Sequence, residues 1–287
     1  MRQGFRLRAL ARSPQQAGYL AAQGVQLVAG DLHRPGALRQ LVNDCAGIIH
    51  AAGAVRGASQ ADFDRINVEG TANLLSAVAS HAPAARLLML SSLAAREPRL
   101  SWYAASKRGG ELLLEQAPQL DWVIMRPPAV YGPGDKEMLP VFQWMSRGIA
   151  LVPGDPAARI SLIHVSDLVT AITACLGSAA CRHQTLALCD GKPGGYDWRE
   201  MAAIAGAIWG RKVRLWRVPA WLLDSVARVN ILGARITGAT PMLTPAKLRE
   251  LRHCDWVADN AAITARTAWQ PRTDLRLGLQ QLRKAEL

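Results

Sequence analysis

Short apolar runs of strand length alternate, through the first half of the chain, with longer stretches whose apolar positions recur every three or four residues. The runs Phe5–Ala11, Val25–Gly30, Gly47–Ala52, Arg86–Ser91 and Trp122–Arg126 are nearly continuous in apolar residues, as strands buried on both faces are. Helical periodicity falls at Pro35–Cys45, Ala61–His81 and Tyr103–Gln116. Strands and helices in alternation predict a doubly wound α/β domain around a parallel sheet. After Gly132 proline and glycine become frequent, and short strands at Ile160–Val165, Thr185–Leu188 and Val213–Val218 mix with helices. This predicts a first domain over residues 1–150 that also takes in about 160–190. A smaller mixed lobe over 191–287 is interleaved with it rather than joined by a linker. No repeat or low-complexity segment stands out.

Composition narrows the picture. A chain of 287 residues, half of them hydrophobic, is long enough for one large domain or a domain with a smaller lobe. Five cysteines without CxxC or Cys/His spacing argue against a structural zinc site or a disulfide framework, and fit a reducing cytoplasm. No apolar run approaches the roughly 20 residues that span a bilayer, and the N-terminus lacks the apolar core of a secretory signal. The net charge of +12 points to anionic partners: a phosphate-bearing cofactor, nucleic acid or an acidic membrane surface. Nucleic acid is disfavoured, because the basic residues are dispersed and no recognisable module accompanies them.

Candidate chemistry lies at strand ends, where open α/β sheets bind ligands. The fourth run ends in Ser91-Ser92, and eleven residues after Ser92 the chain reads Tyr103-Ala-Ala-Ser-Lys107, opening a helix. A tyrosine and a lysine four apart share one helical face. A phenol titrates near pH ~10; an ammonium close by favours the phenolate and lowers that value. A strand-end serine can hydrogen-bond a substrate oxygen, and the three together make a proton relay beside a hydride carrier. Such a Tyr/Lys pair taken alone is more often a solvated helix face.

Seven ordered pieces change that weighting. Beside Ser92 and Tyr103-x-x-x-Lys107 they include Gly30-Asp31-Leu32 and His50-Ala51-Ala52-Gly53, each after a strand, and Asn67-Val-Glu-Gly-Thr71. Further on stand Arg126-Pro-Pro-Ala-Val-Tyr-Gly-Pro-Gly134 and His164-Val-Ser-Asp167, then Trp256-Val-Ala-Asp-Asn260 with Trp269-Gln-Pro-Arg272. The set resembles the extended short-chain dehydrogenase/reductases, the branch of NAD-dependent epimerases and dehydratases, over nearly the whole chain. The resemblance implies a Rossmann-like dinucleotide-binding first domain and a C-terminal substrate lobe. It implies Tyr103 as acid/base, Lys107 on the nicotinamide ribose and Ser92 on the substrate oxygen, with Ser91 the less favoured partner by strand alternation. Asp31 and Leu32 would lie along the adenine, Ala51, Ala52 and Gly53 under the ribose and pyrophosphate, and Pro127 and Pro128 beside the nicotinamide. The second strand of the family pattern ends here in Arg12-Ser13 without a carboxylate. Arginine there suits a 2′-phosphate, so NADP is expected ahead of NAD. A homodimer through the helices over Ala61–His81 and Tyr103–Gln116 is implied as well.

One departure stands out. The family opens with a strand and a glycine-rich turn that binds pyrophosphate at a helix N-terminus, whereas here the second strand starts at about Phe5. Met1-Arg-Gln-Gly4 looks like the tail of the missing helix, and Gly191-Lys-Pro-Gly-Gly195 is no substitute. The expectation is a misassigned or truncated start, or else a short form whose slot another segment or chain fills. The missing strand would be central, leaving a gap between buried neighbours.

The expected activity is NAD(P)-dependent oxidation, reduction or epimerisation at a secondary alcohol or ketone of a small molecule. The competing reading is a non-catalytic dinucleotide-binding or scaffold protein of the same fold. The segment between Ser92 and Tyr103 is short for a nucleotide-sugar enzyme. Trp209, Trp216 and Trp221 join Leu222, Leu223, Ile231 and Leu232 in an apolar stretch that also carries Arg211, Lys212, Arg214 and Arg217. It fits a cover over a lipophilic substrate, a peripheral membrane contact, or ordinary core tryptophans with solvated arginines. His50 reads as structural and Tyr131 as a packing residue bordering the substrate site. His164 and Asp167 belong to a network in which Ser166 or Asp167 caps a helix over Leu168–Cys175. Arg159 fits either an acidic substrate group or solvent.

Overall fold

The computed structural model describes residues 5–237 and 243–284. Met1–Gly4, read above as a helix tail, and the side chain of Leu232 lie outside the described residues. The first half runs β1 (Arg8–Ala11), α1 (Gly18–Ala21), β2 (Gln26–Ala29), α2 (Pro35–Val42), β3 (Gly47–His50), α3 (Gln60–Asp64), α4 (Gly70–His81), β4 (Arg86–Leu90), α5 (Trp102–Glu115) and β5 (Asp121–Arg126). The second half continues with β6 (Ala129–Tyr131), α6 (Leu139–Ser146), β7 (Ile149–Val152), β8 (Arg159–Ile160), β9 (Leu162–His164), α7 (Val165–Gly177) and β10 (Gln184–Ala187). It closes with α8 (Trp198–Trp209), β11 (Arg214–Arg217), α9 (Ala220–Thr237), α10 (Pro245–Arg252), β12 (Asp255–Trp256), α11 (Ala261–Thr267) and α12 (Leu275–Lys284).

The expected parallel sheet is present but divided. One ladder runs β10–β5–β4–β3 and a second holds β1 and β2, all pairs parallel. Among the described residues no strand joins β1 to β3, so each keeps one unpaired edge, and Ile49 on β3 is 48% exposed. The two ladders nevertheless share one apolar core, in which Leu10 of β1 packs with Ile48 of β3, Leu38 and Val42 of α2 and Leu74 and Val78 of α4. Each such buried side chain contributes ~1.5–3 kcal/mol over exposure. A second cluster lies under α7 and α11, around Leu88, Val123, Ile163 and Trp269. A third fills the C-terminal part between α6, α8 and α12 around Tyr131 and Phe142.

Two expectations are revised locally. The helix over Ala61–His81 is interrupted by one π turn at Arg65–Glu69 between α3 and α4. The strand over Ile160–Val165 divides at Ser161, because β8 pairs with β12 and β9 pairs with β6. At that break the Ser161 hydroxyl accepts from the Ala258 amide at 3.0 Å.

Candidate active site

Strand ends gather the expected residues. Arg12 follows β1 and is exposed; Asp31 and Leu32 follow β2; Ala51, Ala52 and Gly53 follow β3, all three exposed; Pro127 and Pro128 follow β5, both buried. The Asp31 carboxylate accepts from the His33 amide at 2.8 Å, fixing the turn after β2. Leu32 lies in the core, where a Cβ on Gly70 would come within 2.7 Å of it, so what it can offer a ligand is its backbone edge. The Pro127 carbonyl accepts from the Leu93 amide at 2.8 Å and ties the ends of β4 and β5 together.

Local sequence explains how the reactive side chains are placed. Ser101 caps α5, its hydroxyl accepting from the Ala104 amide at 3.0 Å, so the helix starts one residue before Tyr103. Tyr103 and Lys107 then lie one turn apart on that helix. The Ser92 hydroxyl accepts from the Ala94 amide at 3.2 Å, where a 3₁₀ turn begins, and lies close enough to the Tyr103 phenol to act against the upward push of burial on it. Ser91 points the other way, donating at 2.5 Å to the buried carboxylate of Glu111.

Lys107 is buried and donates to the Leu90 carbonyl at 2.6 Å, at the last residue of β4. Burial pulls the ammonium down to about 8, against the pull of Glu111. A Cβ on Gly53 would stand 3.5 Å from Lys107 Nζ and 3.2 Å from Asn67 Oδ1, so backbone and ammonium meet closely there. Asn67, seated on the π turn, accepts from the Ala54 amide at 2.8 Å. It donates to the Ala54 carbonyl at 3.0 Å and to Ser106 Oγ at 2.8 Å. In the sequence Asn67 stands only as part of the segment Asn67–Thr71, with no motif of its own that marks this task. A buried amide in an otherwise amphipathic helix was the available signal.

The phenol differs from expectation in one respect. Burial pushes Tyr103 up to about 12; the Ser92 hydroxyl acts against this, and the carboxylates Glu250 and Glu137 reinforce it. The expected lowering of the phenol is absent: the lysine is committed to Leu90 and is itself half-neutralised near pH 8. Phe63 meets the Tyr103 ring edge-on at 6.3 Å, and Lys247 Nζ lies 5.6 Å from its centroid. A narrow crevice beside the ring is lined by Val55, Arg56, Phe63, Thr244, Lys247 and Glu250. Glu250, nearly buried, accepts from Ser101 Oγ at 2.8 Å and pairs with Lys247.

The supporting residues hold structure. His50 is buried on Thr71 Oγ1 at 2.9 Å, with burial and Lys107 pushing it down to about 4, so it is neutral. His164 itself caps α7, accepting from the Ser166 amide, where Ser166 or Asp167 was expected. Strand β9 runs to the helix without a loop, which places His164 at the capping position. Asp167 instead accepts from the Arg272 and Thr273 amides at 3.0 and 2.8 Å. Gly132, at φ +126°, lies so close to His164 that a Cβ would reach its Nε2 at 2.8 Å. Tyr131 is fully buried, donating to the Asp274 carbonyl at 3.0 Å. Arg159 does not line the crevice; its side chain, 39% exposed, bonds the Gly194 and Gly195 carbonyls and pairs with Glu200.

Residues 1–185 match the NAD dependent epimerase/dehydratase family. A ceramide reductase of Caulobacter vibrioides is 37% identical over 262 residues, 90% of this chain and 80% of that protein. Among solved structures, MoeE5 in complex with UDP-glucuronic acid and NAD superposes with a TM-score of 0.71 at 19% identity, over 99% of this chain and 93% of that one. RMD from Pseudomonas aeruginosa complexed with NADPH gives a TM-score of 0.67 at 19% identity, over 96% of each chain. Both cofactor forms therefore occur among proteins of this fold.

Proposed function

Because the chain belongs to the NAD-dependent epimerase/dehydratase family, an oxidoreductase and epimerase family that binds NAD(P), we propose that it reduces a ketone on a lipophilic substrate, or oxidises the matching alcohol, at Ser92, Tyr103 and Lys107. The observation that carries this is a Tyr103 phenol one helical turn from the buried Lys107, whose ammonium reaches the last residue of the strand that leads into Ser92.

The residues present fit a dinucleotide along the strand-end rim. Ala51, Ala52 and Gly53 are small and exposed, and Gly53 abuts the Lys107 ammonium. The nicotinamide, when bound, supplies or accepts the hydride. Tyr103, protonated near neutral pH, gives its proton to the oxygen that gains charge during reduction. Ser92 holds that oxygen against the phenol. Lys107 has three donors, one committed to Leu90, which leaves two for ribose hydroxyls. The exposed guanidinium of Arg12 suits a 2′-phosphate, which favours NADPH. The lipophilic assignment is supported by likeness to the Caulobacter ceramide reductase and by apolar lining residues such as Val55 and Phe63 in the crevice.

Following NADPH absorbance with a long-chain keto-amide in mixed micelles tests this. Tyr103→Phe is expected to lower kcat ~10²–10⁴-fold with cofactor affinity retained, and Arg12→Ala to weaken NADPH more than NADH. Full turnover by Tyr103→Phe would overturn the catalytic assignment. Absence of cofactor binding at millimolar concentration would favour a non-catalytic protein.

A further inference from the structure

The C-terminal part exposes aromatic and aliphatic side chains that the crevice does not use. Strand β11 pairs with β7 in register Trp216 to Leu151, and its outward side carries Arg214 and Trp216, the latter 60% exposed. Helix α9 follows almost at once. It is held inward by buried Ala227 and by Asp224, which accepts from Arg252 of α10 at 3.0 Å. Its opposite side presents Trp221 at 69% and Val229 at 67% exposure, with Leu222 and Val226 on the same stripe. Spacings of 222, 226 and 229 keep these apolar groups on one helical face.

Around them the charge is of one sign. Arg211, Lys212, Arg214, Arg217 and Arg228 are exposed, and none of the five enters an ion pair among the described residues. The single carboxylate of this stretch, Asp224, is already paired. No helix among the described residues is long and apolar enough to cross a membrane. Exposed tryptophans in a basic surround are suited to the headgroup boundary, where the ring enters the acyl edge and the guanidinium meets phosphate.

We propose that the face carrying Trp216, Trp221, Val226 and Val229, with Arg214 and Arg217 beside it, docks on an anionic lipid bilayer. Helix α9 packs on α10, and α10 supplies Lys247 and Glu250 to the crevice beside Tyr103. A lipid leaving the bilayer at α9 is therefore one helix away from the phenol. This delivery route rests on the proposed reductase activity; the docking itself does not.

Co-sedimentation with vesicles of phosphatidylglycerol and phosphatidylcholine, without cofactor, tests the docking. The chain is expected to pellet with them, to be released by high salt, and to remain in solution with pure phosphatidylcholine. Arg214→Gln with Arg217→Gln should lower the partition coefficient about 30-fold. Trp216→Ser with Trp221→Ser should lower it at least about tenfold, with unchanged circular dichroism as the check on folding. A wild-type chain that ignores anionic vesicles, or variants that bind as well as wild type, would overturn the proposal. So would a tryptophan variant that turns an oligomer into monomers while vesicles bind neither form, since the face would then join copies of the chain. Failure here leaves turnover in micelles intact, so the two proposals are tested separately.

Discussion

At the scale of single residues, the informative quantity is the proton on Tyr103. With the phenol pushed up to about 12, the side chain is protonated throughout the neutral range, the form needed to give a proton and not to take one. Ketone reduction should therefore be nearly flat from about pH 6 to 7, below the range in which Lys107 loses its charge. Alcohol oxidation, which needs the phenolate, should rise about tenfold per pH unit over the same range. Initial rates in both directions across that range check this, and oxidation peaking below neutral would contradict it. The neighbouring titrating groups do not interfere in the same way. His50 is already neutral above about 4, and Lys107 keeps most of its charge until about 8. Any break near pH 8 would therefore belong to the lysine.

At the scale of elements, the π turn at Arg65–Glu69 is what turns Asn67 toward Ala54. Asn67→Ala leaves the Ala54 amide and carbonyl without partners and should cost ~1–3 kcal/mol. It should also weaken cofactor binding, because the Ala51–Gly53 edge loses its brace; melting temperature and cofactor titration read the two effects. Wild-type values for both would show that the turn is incidental. The sequence pattern predicted the helix but not its interruption, because one inserted residue barely alters a 3.6-residue period. Strands β3, β4 and β5 were legible because they are apolar on both faces. Helices α8 to α12 were not assigned, although α12 is strongly amphipathic; the apolar faces of α8 and α12 fill a core built from distant segments. The sequence favoured Ser92 over Ser91 without deciding between them, since alternation tells that two neighbours diverge but not which way each goes. The pairing of Ser91 with Glu111, which also accepts from Arg126 at 2.6 and 2.8 Å, joins residues 20 and 15 apart and has no local signature.

At the scale of the molecule, the proposed chemistry and the proposed lipid docking fall to different parts. The strand-end rim and α5 carry Ser92, Tyr103 and Lys107, α10 lines the crevice beside Tyr103, and α9 is tied to α10 through Asp224 and Arg252. The division of the sheet bears on how this body moves. Where a continuous sheet would link β1 to β3 by hydrogen bonds, the two ladders here meet through side chains alone among the described residues. Side-chain contact is non-directional and tolerates sliding, whereas a hydrogen-bonded ladder does not. The unit of β1, β2 and α2 should therefore open as a separate cooperative body below the global unfolding free energy. In deuterium exchange, the amides of β1 and β2 and the outward amides of β3 should label well before those of β4 and β5. Uniform protection across both ladders would mean that the seam is as firm as the sheet on either side of it.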